Sequence, residues 1–306
     1  MHAIHQLLIT IAFIILLPPM PQAQTNKINT NRCIATLKEA MLSGETFIIK
    51  VHAAEALISN HHMEGIDSLF STLIQEAPAN LYGASRVLAR VHKNNPAKYD
   101  IFINNLVSAF LHADSLRGRL IALESLAKLG YHQPLKEIVQ LAASGENGLM
   151  GMARWVLANS GKAVDEARLA EPLTSSVGLD YRYAAYSLRF FKKIQATSYS
   201  LLQTCNKRIA DTDPAKVYVL SSLFVHAGAV ISKQAKLHLF TFLNGAVGER
   251  YEVAEALALK GTKADMDVLH KLLSDENMDV RVAAANAILK IKEHTRVSFT
   301  NRKTPE

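Results

Sequence analysis

Apolar residues recur along this chain three and four positions apart, the spacing of one helix face, in blocks that Gly, Pro, Asn or Asp interrupt. One aliphatic position aligns eight of these blocks: Leu57, Leu88, Leu126, Leu157, Leu188, Leu223, Leu257 and Ile288, with successive spacings of 31, 38, 31, 31, 35, 34 and 31 residues. Four residues before each stand Ala53, Ala84, Ala122, Ala153, Ala184, Val219, Val253 and Ala284. Chance would place about one alanine in eight positions; six are found. The residue just before each anchor is always Ala, Val or Ser, and the seventh before it is basic in five of the eight: Lys50, Arg119, Lys216, Arg250 and Arg281. Small residues on a buried stripe let helix axes approach closely.

A second apolar helical segment precedes each aligned one, as at Ile66 to Ile74, Leu135 to Leu141 and Met266 to Leu273, and turn residues separate the two. Each unit is therefore predicted to be a helical hairpin. No run alternates apolar and polar residues over more than a few positions, so strands are not expected. A repeat of 31 to 38 residues that cannot bury its apolar face alone implies a stacked array.

The segments KVHAAEALI (50–58), RYEVAEALALKG (250–261) and DENMDVRVAAANAILKI (275–291) resemble the second helix of HEAT repeats, in particular the short class of about 31 residues also seen in phycobilisome bilin lyases. The resemblance implies an all-α, right-handed α-solenoid of about eight stacked hairpins, a HEAT/ARM-like superhelix, over 33–292. It also places the second helix of each hairpin on the concave side. Spacings of 38 and 35 predict lengthened first helices or loops before Leu126 and Leu223, and hence an open arc of irregular pitch.

The first residues, MHAIHQLLITIAFIILLPPMPQAQ, have an apolar run too short to span a bilayer comfortably, closed by Pro18, Pro19 and Pro21 before Ala23. Residues 1–23 are read as a signal peptide, 24–32 as a linker, and the protein as exported, periplasmic or secreted; an uncleaved N-terminal anchor is the rival. No transmembrane domain is expected in the mature chain.

Of the net charge of +7, Lys290 to Glu306 carries +3, five cations against two anions, and the rest of the chain only +4. Residues 293–306 read as a basic flexible tail. No run of five like charges marks a nucleic-acid track. Cys33 and Cys205 lie five repeats apart, too far for a bridge in such an array, and are expected to be free and buried.

Catalytic and metal chemistry find no constellation. Deoxyhypusine hydroxylase, a HEAT-type enzyme, holds two irons with His-Glu pairs. This chain has no His-Glu dipeptide, and the pair His52/Glu55 has no counterpart in later repeats. Neither a Gly-x-Ser-x-Gly elbow nor a Gly-rich phosphate loop is present. No metal and no cofactor is expected.

Projecting each second helix at 100° per residue leaves the positions five before, two before and two after the anchor on the concave side. In the middle repeats these are Met152, Trp155 and Asn159, then Tyr183, Tyr186 and Phe190, then Tyr218. Arg86 and Glu124 occupy the same columns earlier, while Ala283, Asn286 and Lys290 form a bland last set. Aromatic residues supply contact area at low entropic cost. Met152, Trp155, Tyr183, Tyr186, Phe190, Tyr218 and Arg86 are therefore the candidate binding residues.

The functional expectation is a monomeric, non-enzymatic scaffold that presents a concave, partly aromatic groove to a protein or peptide. The alternatives are a carbohydrate-binding accessory protein, with Arg86, Glu124 or Asn159 on sugar hydroxyls, and a lyase of the bilin type. Burial of the rings in the core is the competing structural explanation.

Overall fold

The computed structural model describes residues 30–144, 148–175 and 178–300, the last five by backbone alone. Residues 1–23, read as a signal peptide, and the end of the tail lie outside the described residues. All regular structure among the described residues is helical. Along the chain the helices follow as eight successive pairs: α1 (Thr30–Ser43) with α2 (Phe47–Ser59), α3 (Ile66–Glu76) with α4 (Leu81–Val91), α5 (Pro96–His112) with α6 (Leu116–Lys128), α7 (Lys136–Ser144) with α8 (Leu149–Ala158), α9 (Ala163–Ala170) with α10 (Asp180–Leu188), α11 (Ala196–Arg208) with α12 (Lys216–His226), α13 (Ala229–Leu239) with α14 (Val247–Lys260), joined through the 3-10 turn Phe240–Asn244, and α15 (Met266–Leu272) with α16 (Met278–Thr300).

Two predicted boundaries move. Helix α1 begins at Thr30, inside the span read as linker, and the segment from 293 to 300, read as flexible tail, continues α16.

The aligned columns are the core. Seven of the eight anchors are at most 2% exposed, with Leu157 part-buried, and all eight residues four positions earlier are fully buried. Gly83 shows how close the packing is: a Cβ there would come within 2.7 Å of Val51 and 2.9 Å of Phe47, so α4 lies almost directly on α2. Local chemistry sets the helix ends. The Asn95 and Ser115 side chains accept from Lys98 N and Gly118 N at the starts of α5 and α6. After α6 and α8, Gly130 and Gly161 adopt φ of 75° and 76°, the left-handed residue that closes a helix.

The basic column has a structural role. Lys50 Nζ donates to Leu42 O at 2.8 Å, and Lys216 Nζ to Asn206 O at 2.9 Å, so each closes the last turn of its hairpin's outer helix. Arg250 and Arg281 donate to Gly245 O and Asp275 O, both at 2.7 Å, in the hairpin turns. Cations are favoured there because helix C-termini leave carbonyls without intrahelical partners.

The expected open arc is corrected by how the ends pack. Each inner helix, α2, α4, α6 and so on to α16, packs on the next, and α16 packs on both α1 and α2. The array closes into a ring. Polar contacts fasten the seam: His52 Nδ1 donates to Asp279 Oδ1 at 2.8 Å, Asn60 Nδ2 to Asn286 Oδ1 at 2.9 Å, and Lys290 Nζ to Ser59 O.

Helix α16 is accordingly buried on most of its circumference, with Val280, Val282, Ala283, Ala284, Ala285, Ala287, Ile288 and Leu289 all in the core. Ala283, expected at the solvent face, is 1% exposed. An alanine helix fits here because neighbours approach it from several sides.

Candidate functional site

Neighbouring inner helices meet at like ends, since Asn159, His226 and Lys260, at the C-terminal ends of α8, α12 and α14, reach carbonyls at the C-terminal ends of α6, α10 and α12. The former concave columns now line a central cavity of about 840 Å³, with walls from α2, α4, α6, α8, α10, α12, α14 and α16. The projection chose the right helix faces, but these side chains are not equally available.

Trp155 is 1% and Met152 2% exposed, so both are core residues that border the cavity but add little to its surface. The Trp155 ring stacks on Phe190 at 5.1 Å and meets Tyr186 edge-on at 5.8 Å; Tyr186 in turn meets Tyr218 edge-on at 5.6 Å. The cations Lys128 and Arg189 lie over the Tyr186 ring at 5.6 Å and 4.9 Å. Phe190 remains 38% exposed. Of the predicted aromatic set, Phe190 offers the most surface to a ligand, and Tyr183, Tyr186 and Tyr218 are each part-buried.

Arg86 is also withdrawn. It is 3% exposed, donates through Nε and Nη2 to both oxygens of Glu55 at 2.7 Å and 3.1 Å, and reaches Ser125 Oγ at 3.2 Å. Burial pushes the Glu55 carboxyl up, but Arg86, Arg90 and Lys128 outweigh it and hold the group far below the ordinary carboxylate range. For Glu124, the same opposition of burial against Lys128 and Arg86 leaves the carboxyl at about 2. Glu124 accepts from Tyr186 OH at 2.9 Å and pairs with Lys128 at 2.8 Å, which ties α10 to α6.

Asn159, considered for sugar hydroxyls, instead donates to Ala127 O at 2.8 Å. Similar bonds recur along the C-terminal face, where His226 reaches Leu188 O and Lys260 reaches Ala227 O, each at 2.8 Å. Arg86, Glu124 and Asn159 are thus engaged in holding neighbouring helices together.

Several lining groups missed by the aromatic argument are more open. Arg182 on α10 donates to Tyr218 OH at 3.2 Å and stands over that ring at 5.0 Å, with no carboxylate partner among the described residues. Glu255 and Tyr251 lie one turn apart on α14, near Asp279 of α16. Burial and the charges of Glu255 and Asp279 hold the Tyr251 hydroxyl well above its ordinary range. Across the interior, Arg189 and Glu252, each 2% exposed, form an ion pair; despite burial, the carboxylate keeps Arg189 firmly protonated. The sequence signal for this set was present: Glu252 and Glu255 fell in the projected concave columns, while Arg182 and Tyr251 sat one position outside them.

Among the described residues no group of three or more His, Cys, Asp or Glu side chains could hold a metal ion, and no helix is long and apolar enough to cross a membrane. Cys33 and Cys205 are free and buried. No protein-family model and no curated protein matches this chain. The likeness to HEAT repeats therefore rests on the residue columns themselves.

Proposed function

We propose that this chain is an exported, non-enzymatic binding protein, built of HEAT-like hairpins stacked in the right-handed sense, that receives a short peptide or a peptide end in its central cavity. The observation that carries this reading is the cavity inside the closed ring. Its volume of about 840 Å³ falls in the range of small-ligand sites, about 300–1,000 Å³, and excludes a folded partner from the interior. Phenol rings, the exposed face of Phe190 and charges of both signs suit a backbone rich in amides together with mixed side chains. Binding is by preformed fit, since the wall helices are already fixed by core columns and internal ion pairs.

Carbohydrate binding is less well supported, because three residues suited to sugar hydroxyls are engaged within the wall. The test is retention of a random peptide mixture against a neutral oligosaccharide mixture by the purified protein. Peptides should be retained, and Phe190→Ala together with Tyr218→Ala should reduce retention at least tenfold. Retention of oligosaccharides alone would replace this reading with the carbohydrate one.

A further inference from the structure

Resting on the peptide-binding reading, we infer that the cavity recognises both ends of a short peptide as a zwitterion, its carboxylate at Arg182 and its ammonium group at Glu255 and Asp279. Arg182 projects from the first turn of α10, the fifth inner helix around the ring. The acidic side spans α14 and α16, the seventh and eighth, beside the seam with α2, which stands opposite α10. The cavity therefore has a cationic, phenolic arc, Arg182 with Tyr183 and Tyr218 on α10 and α12, and an anionic arc, Glu255 and Asp279, on the next two inner helices, α14 and α16.

The charges on these two arcs are incompletely matched, whereas most others in the lining are paired; Arg90 shares the Glu55 carboxylate with Arg86. Glu55 and Glu124 have their own cations, and Arg86, Lys128 and Arg189 their own carboxylates. Among the described residues Arg182 has only a phenol as hydrogen-bond partner. Glu255 accepts no hydrogen bond among the described residues, and the cation that acts on it, Arg189, is paired with Glu252. Among the described residues Asp279 is matched only by His52, which is neutral when deprotonated. A third observation points to an acceptor-bearing ligand: Arg189 lines the cavity and is almost wholly buried, yet its Nε–H meets no acceptor among the described residues. Buried donors are nearly always satisfied in native proteins. A carbonyl of a bound peptide has the required chemistry.

Separated charges of opposite sign select by length as well as by end group. A guanidinium offers forked donors to a carboxylate, while two carboxylates and a phenol offer acceptors to an ammonium group. A peptide long enough to touch only one arc at a time forfeits half of the recognition, and a capped one leaves a cavity charge without its partner. That penalty makes discrimination against missing charges steep.

The experiment uses three forms of one random tripeptide mixture: free at both ends, N-acetylated, and C-amidated. Retention by the purified protein is read by mass spectrometry. The free form should be retained, and each cap should lower retention at least tenfold. Arg182→Met should weaken the free form to the same degree and abolish the further effect of amidation. Glu255→Gln should do so for acetylation, with thermal unfolding of both variants close to the parent. Equal retention of capped and free tripeptides would overturn end recognition while leaving peptide binding intact. If no tripeptide form is retained but longer peptides are, the zwitterion assignment also falls; if no peptide of any length is retained, both readings fall. Should either variant fail to fold, the capped series on the parent protein decides the matter.

Discussion

Replacing Trp155 and Phe190 separately tests whether core and ligand surface have been told apart within one aromatic cluster. Trp155 is 1% exposed and Phe190 38%, although their rings stack at 5.1 Å. Truncating a buried aromatic to alanine costs about 3–5 kcal/mol, part of it for the cavity left behind. In a chain of this size each kcal/mol lowers Tm by about 2 °C, so Trp155→Ala should lower it by about 6–10 °C. Full burial of a Phe side chain is worth about 1.5–3 kcal/mol, and the open part of Phe190 contributes none of it; Phe190→Ala should cost about 1–2 kcal/mol and about 2–4 °C. Circular-dichroism melts give both values, and peptide retention by the same samples gives the second axis. Phe190→Ala should affect retention out of proportion to stability, and Trp155→Phe should retain most of both. Because Trp155 is the sole tryptophan, its fluorescence adds a check: a neutral quencher should reach it poorly in the native protein. A Trp155→Ala melt within about 1 °C of the parent, with retention lost, would falsify the assignment of this ring to the core.

Acid should weaken the fold through Glu124. A carboxylate held below its ordinary value stabilises the native state above that value and loses the contribution as pH falls toward the folded one, here from 4.5 down to about 2. The span corresponds to about 3 kcal/mol, and Glu124→Gln should flatten the loss of Tm measured across that range. Removing Glu55 strands Arg86, which is 3% exposed, so Glu55→Ala should cost about 3–5 kcal/mol in denaturant titrations; Glu55→Ala with Arg86→Met should cost less than the single change. Burial pushes the Cys33 thiol up to about 11, and native protein at mild alkaline pH should resist alkylation there while the denatured chain reacts at once.

Much of the fold was legible because the repeat writes the same packing rule eight times. Ala53, Ala84 and Ala284 are predictable as core since each fills the same close contact, and the extra residues before Leu126 do lengthen a first helix, α5, to 17 residues. Ring closure was harder to read, because it depends on the small rotation between successive hairpins, which side-chain columns do not encode directly. A signal did exist at the ends. Open arrays need a polar face on their terminal repeats, yet α1 buries Cys33, Leu37, Ala40 and Met41, and α16 has apolar residues on most of its turns. The candidate site was legible as a helix face and less so as a set of residues. Projection finds which side chains point inward, but Arg86 and Trp155 are withdrawn by partners on neighbouring helices, and Arg182 and Tyr251 enter through a modest difference in helix rotation.

The seam between α16 and α2 also bears on how such a chain can change. An open array tolerates gain or loss of a unit, since each repeat meets only its neighbours and the ends are free. Here a ninth hairpin would hold α16 away from α2, and a seven-hairpin chain would have to bend more sharply at every interface. His52 would lose Asp279, Asn60 would lose Asn286, and Lys290 would lose the carbonyl of Ser59. Closure therefore fixes repeat number as a discrete property, and it confines tolerated insertions to the outer helices and turns, where the longer spacings of this chain already lie.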